Sequence, residues 1–264
     1  ALVERLHEPQ GINYSIAFRS VGRSVDERDL QFYFSDPTRE RLSRAFSWAG
    51  GLDLKPTCAD GGELPLCVDL PLAIIDANVG VNKANVFVSS EIGRDIEFSL
   101  DGTMTETVTF FQNNVSQRTS DDASYKSYTR FYLPAEGNVQ SVTIDGQEVR
   151  RGLGESLPYW EEGNEDKRAV VGVASVLAPK TNRRITLTYT RPITLARGVR
   201  VILTTRSQAG TPSAPLSLFV RAPTPWLMTL ADDLDRRQLV ASRALLEYNT
   251  ALPPDAGLTL HFTQ

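Results

Sequence analysis

Histidine, cysteine and methionine are all scarce in this chain, with two of each among 264 residues. His7 and His261 stand near opposite ends of the sequence, so a Ser-His-Asp arrangement has poor support and a histidine-based metal site lacks ligands. There is no His-Glu-x-x-His, no Gly-x-Ser-x-Gly and no phosphate-cradling glycine loop ahead of a helix. No apolar run approaches the roughly 18 residues needed to span a membrane. Nor is there an excess of one charge. The net charge is −4 with acids and bases interspersed, which leaves no broad electropositive footprint for nucleic acid. The pairs Arg150-Arg151, Arg183-Arg184 and Arg236-Arg237 read as solvated strand edges.

What is present is ordinary globular material: 41% hydrophobic and 23% charged residues, enough to build a core and too apolar for disorder. Cys58 and Cys67 flank Ala-Asp-Gly-Gly-Glu-Leu-Pro-Leu. Two otherwise lone cysteines around a Gly-Gly turn suit a disulfide closing a surface loop, with a loop-entropy contribution of roughly 2–3 kcal/mol. That bond implies an oxidising compartment; the alternative is a pair of free thiols. The chain opens without Met in what reads as mid-helix, Ala1-Leu2-Val3-Glu4-Arg5-Leu6, and is expected to be a piece of a longer protein.

The first quarter is mixed. Residues 1–8 read as the end of a helix. Tyr14, Phe18, Val21 and Val25 have the spacing of one helical face, and Leu30–Phe34 suggests a short strand. Ser35-Asp36-Pro37 supplies an N-cap and a proline for the first helical position, opening a helix to about Phe46 with Leu42, Ala45 and Phe46 inward. Leu52-Asp53-Leu54 suggests the start of another strand. From Val68 the period changes to two. Asp101-Gly102 and Asp145-Gly146 stand between alternating runs, a strong hairpin signal. Thr103, Thr105, Thr107 and Thr109 form a face expected to meet water, opposite Met104, Glu106, Val108 and Phe110. Residues 151–167 read as a polar loop, and turn-bounded strands continue to Phe262. The expected fold is mainly β: an antiparallel β-sandwich over 76–264, preceded by a small mixed α/β segment over 1–75.

Between the two regions lies Asp76-Ala77-Asn78-Val79-Gly80-Val81-Asn82-Lys83-Ala84-Asn85. Asx side chains and glycine supply the backbone angles of a shaped turn, so Asp76, Asn78, Gly80, Asn82, Lys83 and Asn85 are expected to form a structural motif, with Lys83 paired to Asp76. The oxygen-rich side chains would also suit calcium, but the spacing is not that of a calcium loop and Lys83 puts a positive charge within the group. No metal, cofactor or catalytic residue is assigned. Glu161, Glu162, Glu165 and Asp166 read as solvated charge in preference to a glycosidase pair. Tyr159 and Trp160 are candidate contacts for a glycan or partner, with anchoring to the core as the commoner role of such rings. Asn114-Val115-Ser116 matches a glycosylation acceptor.

The Asp76–Asn85 stretch resembles the Asn-x-Gly-x-Asn-Lys-x-Asn signature of the bacterial family called domain of unknown function 4012 (DUF4012). Asp29–Pro37, Phe46-Ser47-Trp48-Ala49-Gly50 and Tyr128-Thr129-Arg130-Phe131-Tyr132-Leu133-Pro134 resemble further motifs of that family in the same order, with Ser47 departing from the Gly-Trp-Gly element. The resemblance implies a membrane-anchored envelope protein, with this chain as its C-terminal, strand-rich portion and the membrane reached only through an upstream anchor. The expected function is a non-enzymatic extracellular or envelope module contacting an envelope protein or glycan. The alternative is an accessory part of a cell-wall glycopolymer transferase whose active site lies upstream.

Overall fold

The computed structural model describes residues 14–26, 30–46, 48–49, 67–80, 82–118, 123–152, 156–165, 168–196, 198–206, 208, 211, 214–230, 239–241, 244–251 and 255–263. The chain divides into two units, Ala1–Asp53 with Ala209–Thr211 and Leu54–Gln208 with Pro212–Gln264.

In the first unit, α1 spans Tyr14–Asp26 and α2 spans Pro37–Ala45. Asp36 caps α2 as the sequence predicts: its Oδ1 accepts from the Arg39 amide at 2.8 Å, and Pro37 opens the helix. The expected inward face of α2 is not observed. Leu42 and Phe46 are exposed and Ser43 is buried, and Phe46 stacks on Trp48 at 5.2 Å between ring centroids. The expected strand at 30–34 reduces to an isolated parallel bridge between Phe32 and Ala49. The features expected at 1–8 and 52–54 lie outside the described residues.

The second unit is a sandwich of two eight-stranded sheets. One runs in the order β13 (Leu227–Leu230), β16 (Asp255–Thr263), β11 (Arg200–Arg206), β1 (Cys67–Asn78), β4 (Tyr125–Leu133), β9 (Arg168–Leu177), β8 (Tyr159–Glu165), β7 (Arg150–Arg151). The other runs β14 (Leu239–Ala241), β15 (Leu245–Ala251), β12 (Pro215–Arg221), β2 (Val88–Phe98), β3 (Thr103–Asn114), β10 (Asn182–Pro192), β5 (Asn138–Ile144), β6 (Gln147–Glu148). The mainly β fold is therefore what the structure shows. Its sheets are mixed, however: β1 pairs parallel with β11, β2 with β12 and β7 with β8.

Both Asp-Gly turns join adjacent antiparallel strands. At the second, Asp145 and Gly146 have φ of 52° and 80°, the left-handed pair that a tight hairpin needs. Two expectations are corrected here. The run 70–75 belongs to the sandwich, because Leu70, Leu72, Ala73 and Ile74 are buried in a strand flanked by β11 and β4. A near-continuous apolar run marks a strand covered on both faces. Pro71, which has no N–H for a ladder, falls before the pairing with β4 begins at Ala73. Residues 159–165, expected within a loop, form β8 against β9.

The inner faces share one core. Phe98 meets Phe262, and Phe110 meets Phe131, edge to face across the sheets at 4.9 and 6.3 Å. Within this core, Arg94 and Glu106 are wholly buried. Arg94 Nε donates to Glu106 Oε1 at 2.6 Å, while Nη2 donates to Oε2 at 3.1 Å and to the Leu70 carbonyl at 3.0 Å. Nη1 donates to the Thr204 carbonyl at 3.0 Å and to Thr205 Oγ1 at 2.9 Å. All five guanidinium donors are thus matched, and three of the bonds cross to the facing sheet. Tyr189 donates to Glu106 Oε2 at 2.5 Å, its phenol pKa pushed well up by burial and then by the Glu106 charge.

Removing one member of this pair leaves the other uncompensated. Arg94→Met or Glu106→Leu alone is expected to lower the unfolding free energy by about 3–5 kcal/mol, and the double variant to recover much of that loss. Urea denaturation of the three variants measures this; a double variant as weak as the worse single one contradicts it.

Candidate functional site

The motif singled out in the sequence closes one end of the sandwich. Asp76 points between the sheets from the end of β1. Its Oδ2 accepts from Gln112 Nε2 at 2.6 Å and the Tyr125 hydroxyl at 2.7 Å, and its Oδ1 from Thr129 Oγ1 at 2.6 Å. The backbone of Asp76 is held as well, its N–H donating to Gln208 Oε1 at 2.7 Å and its carbonyl accepting from Gln208 Nε2 at 3.2 Å. Lys83 is exposed and does not pair with Asp76, contrary to expectation: three neutral donors inside the sandwich take the place of one cation outside it.

Polar contacts continue inward. Gln112 Oε1 accepts from Arg183, which also donates to Ser127 Oγ at 2.8 Å and Ser175 Oγ at 2.6 Å. Arg183, expected on a solvated edge, is buried. Burial lowers its pKa, with the Asp76 charge opposing, while Tyr125 is pushed strongly up by burial and then by Asp76. The period-two pattern holds throughout this end; the sequence signal missed is that its inward positions turn polar, with Gln112 and Asn114 at the end of β3 and Ser127 and Thr129 near the start of β4.

The turn itself is tied by its own amides. Asn78 Oδ1 accepts from the Gly80 N–H at 3.0 Å, and Asn78 Nδ2 donates to the Asn82 carbonyl at 2.5 Å and to Asn85 Oδ1 at 3.4 Å. Asn82 Oδ1 caps the Ala84 N–H at 3.1 Å, opening a short 3-10 helix over Ala84–Phe87, and its Nδ2 donates to the Ser124 carbonyl at 3.0 Å. Among the described residues, no group of three or more His, Cys, Asp or Glu is placed to hold a metal ion.

Asn114 is wholly buried, donating to the Ala123 and Leu177 carbonyls at 3.2 and 3.4 Å. The acceptor tripeptide therefore presents no accessible amide, and its asparagine is a structural residue. Cys67 opens β1, whereas Cys58 lies outside the described residues.

Tyr159 and Trp160 face opposite ways along β8. Trp160 is 8% exposed and its Nε1 donates to the Val149 carbonyl at 2.9 Å, so the candidate contact at Trp160 is corrected to a core anchor. Tyr159 lies on the outer face with residues that sequence reasoning gave no role: Tyr128, Arg130 and Tyr132 of β4. Tyr128 donates to Glu161 at 2.5 Å and Tyr132 to Glu165 at 2.8 Å, while Arg130 pairs with Glu165 at 3.2 Å. Burial and then Glu161 push the Tyr128 pKa up beyond the ordinary phenol range. Tyr128 reaches Glu161 by crossing Gly172, where a Cβ would collide with its ring and hydroxyl. The glutamates of this strand are therefore individually engaged, Glu162 by Arg151 at 2.6 Å, while Asp166 lies outside the described residues.

No protein-family model matches the chain, and no curated protein matches it. Among solved structures it is similar to a candidate nutrient-binding protein of Legionella pneumophila, at 12% identity and a TM-score of 0.48 over 75% of this chain and 72% of that one. It is also similar to yeast LTA4 hydrolase in complex with bestatin (10% identity, TM-score 0.38), with 68% of this chain and 30% of that one covered. A third is the M1 zinc metallopeptidase of Deinococcus radiodurans (15% identity, TM-score 0.33), with 75% and 42% covered. The chain thus spans less than half the length of the two peptidase-like chains. Likenesses at these identities and scores bear on neither activity nor partner.

Asp76→Asn offers one acceptor oxygen to three donors and is expected to cost about 2–4 kcal/mol of stability, against about 1 kcal/mol for Tyr125→Phe. Urea unfolding compares them; equal and negligible losses would contradict the role of the carboxylate.

Proposed function

We propose that this chain is a non-enzymatic module of a membrane-anchored bacterial envelope protein, exposed outside the cell, of the kind implied by the resemblance to the domain-of-unknown-function 4012 family. Its contact with an envelope protein or glycan is made through the outer face of β4 and β8. The observation that carries this reading is the set Tyr128, Arg130, Tyr132, Tyr159, Glu161 and Glu165, in which the Tyr128 and Tyr132 hydroxyls and the Arg130 guanidinium hold the Glu161 and Glu165 carboxylates on the outer face of the sheet. Aromatic bodies with polar tips suit such contacts, offering apolar area and hydrogen bonds at low entropic cost. Among the described residues no helix is long and apolar enough to cross a membrane; the proposed anchor is the upstream one that the family resemblance implies.

The Cys58–Cys67 disulfide is part of the proposal. It is supported by the cysteine count and by the lack of any free cysteine among the described residues. Alkylation without reductant is expected to add no mass, and two added groups would remove the argument for an oxidising compartment.

For the contact face, a glycan array and an envelope-fraction pull-down with the intact chain give the direct readout. Tyr159→Ala with Glu161→Gln is expected to weaken the captured interaction at least about tenfold without lowering the melting temperature. Binding unchanged by both substitutions would place the contact elsewhere.

A further inference from the structure

The end of the sandwich closed by the Asp76 motif carries an outer surface that the motif's own hydrogen bonds leave unused. Register brings the ends of β1, β2, β3, β4, β9 and β10 together there: Asn78 pairs with Ser127, Val88 with Asn114, Tyr125 with Leu177 and Asn182 with Asn113. At this tip Val79, Val86, Phe87 and Val115 are 55, 68, 36 and 53% exposed. Their backbones are fixed: Val79 donates to the Lys126 carbonyl and Val115 to the Phe87 carbonyl, both at 2.9 Å. Apolar side chains on rigid loop tips are not held outward by any need of the core.

Around them stand four exposed cations, Lys83, Arg118, Lys126 and Lys180. They belong to the same tip, since Lys180 N–H donates to the Asn114 carbonyl at 2.9 Å and Arg118 N–H to Ser116 Oγ at 3.3 Å. Among the described residues none of the four is in an ion pair. Asp76 faces inward and is engaged. Glu91 stands three residues into β2, and Asp145 accepts from the Arg184 N–H at 2.8 Å in the β5–β6 turn. Asp121 and Asp122, between Arg118 and Ala123 in sequence, lie outside the described residues. In a chain of net charge −4, the tip collects positive charge around an apolar centre.

We propose that this tip docks on an anionic lipid bilayer, with Val79, Val86, Phe87 and Val115 entering the interface and Lys83, Arg118, Lys126 and Lys180 meeting acidic headgroups. The combination favours a lipid surface over a protein partner. Of the neutral amides that could give a protein interface specific hydrogen bonds, Asn78 and Asn82 are spent inside the turn, and the exposed Asn85 and Gln117 each already hold a bond within the tip. What is left outward is apolar area plus flexible ammonium groups, the pair of terms on which interfacial binding depends. The proposal rests on a different surface from the contact face on β4 and β8, apart from Lys126, which shares the outer face of β4 with Tyr128 and Arg130.

The test is flotation of the purified chain with phosphatidylcholine vesicles and with vesicles also rich in phosphatidylglycerol. The expected result is recovery with the anionic vesicles alone, weakened by salt. Lys83→Glu with Lys180→Glu should lower partitioning by about 25-fold or more, at roughly fivefold per charge removed. Arg150→Glu, on the edge strand β7, should leave it unchanged. Val86→Asp with Phe87→Asp should also abolish recovery while the thermal melt stays that of the parent. Absence of binding to anionic vesicles at low salt overturns the proposal. So does binding that ignores the lysine changes, and so does binding that ignores the Val86 and Phe87 changes, which would mark a patch for soluble polyanions.

Discussion

A carboxylate placed between two sheets must find in the protein the donors it gives up in water, and Asp76 finds three. Because those donors sit on β3 of one sheet and β4 of the other, the carboxylate fixes where β1 ends relative to both. Everything at that end follows from this placement. Asn78 begins the turn two residues later, Asn82 caps the short helix into β2, and the hydrophobic and basic side chains that cannot face inward are presented outward.

A second buried charge cluster lies deeper in the core, where Arg94 reaches Leu70, Thr204 and Thr205 across the interface. Such clusters add less net stability than apolar packing would, because both ions lose their water. They are demanding in register, however: a slip of one residue in β2 or β3 would turn Arg94 or Glu106 to the outer face and leave its partner buried alone. Two sheets with broadly similar apolar inner faces gain from such pins, since hydrophobic contact by itself is not directional.

The β-rich fold and both hairpins were legible because alternation and the Asp-Gly turn are local signals. The cap of α2 at Asp36 was legible for the same reason. The parallel pairing of β1 with β11 was not, because it joins segments more than a hundred residues apart and leaves no local mark beyond a continuous apolar run. That run, Leu70–Ile75, read as the end of a separate segment, when its two covered faces make it an inner strand. Lys83 was misplaced, and Trp160 left open between a contact and a core anchor, for a common reason: composition says which groups need partners or burial, but not which side of the backbone faces the core. Arg183 and Asn114 show the reverse error, polar residues assigned to the surface and found inside, Asn114 bonded through both ends of its amide and Arg183 through both Nη atoms, its Nε left without a partner.

The central claim is that the Asp76 carboxylate, through its interior donors, holds the whole turn in place. Hydrogen exchange at the amides of Val79, Gly80 and Ala84 tests it most directly, because each is bonded within the turn or to the neighbouring strand. In the parent chain these amides are expected to be protected. In Asp76→Asn they should exchange much faster while amides of the β2–β3 hairpin around Thr103 are unchanged. Equal protection of the turn amides in both proteins would contradict the account.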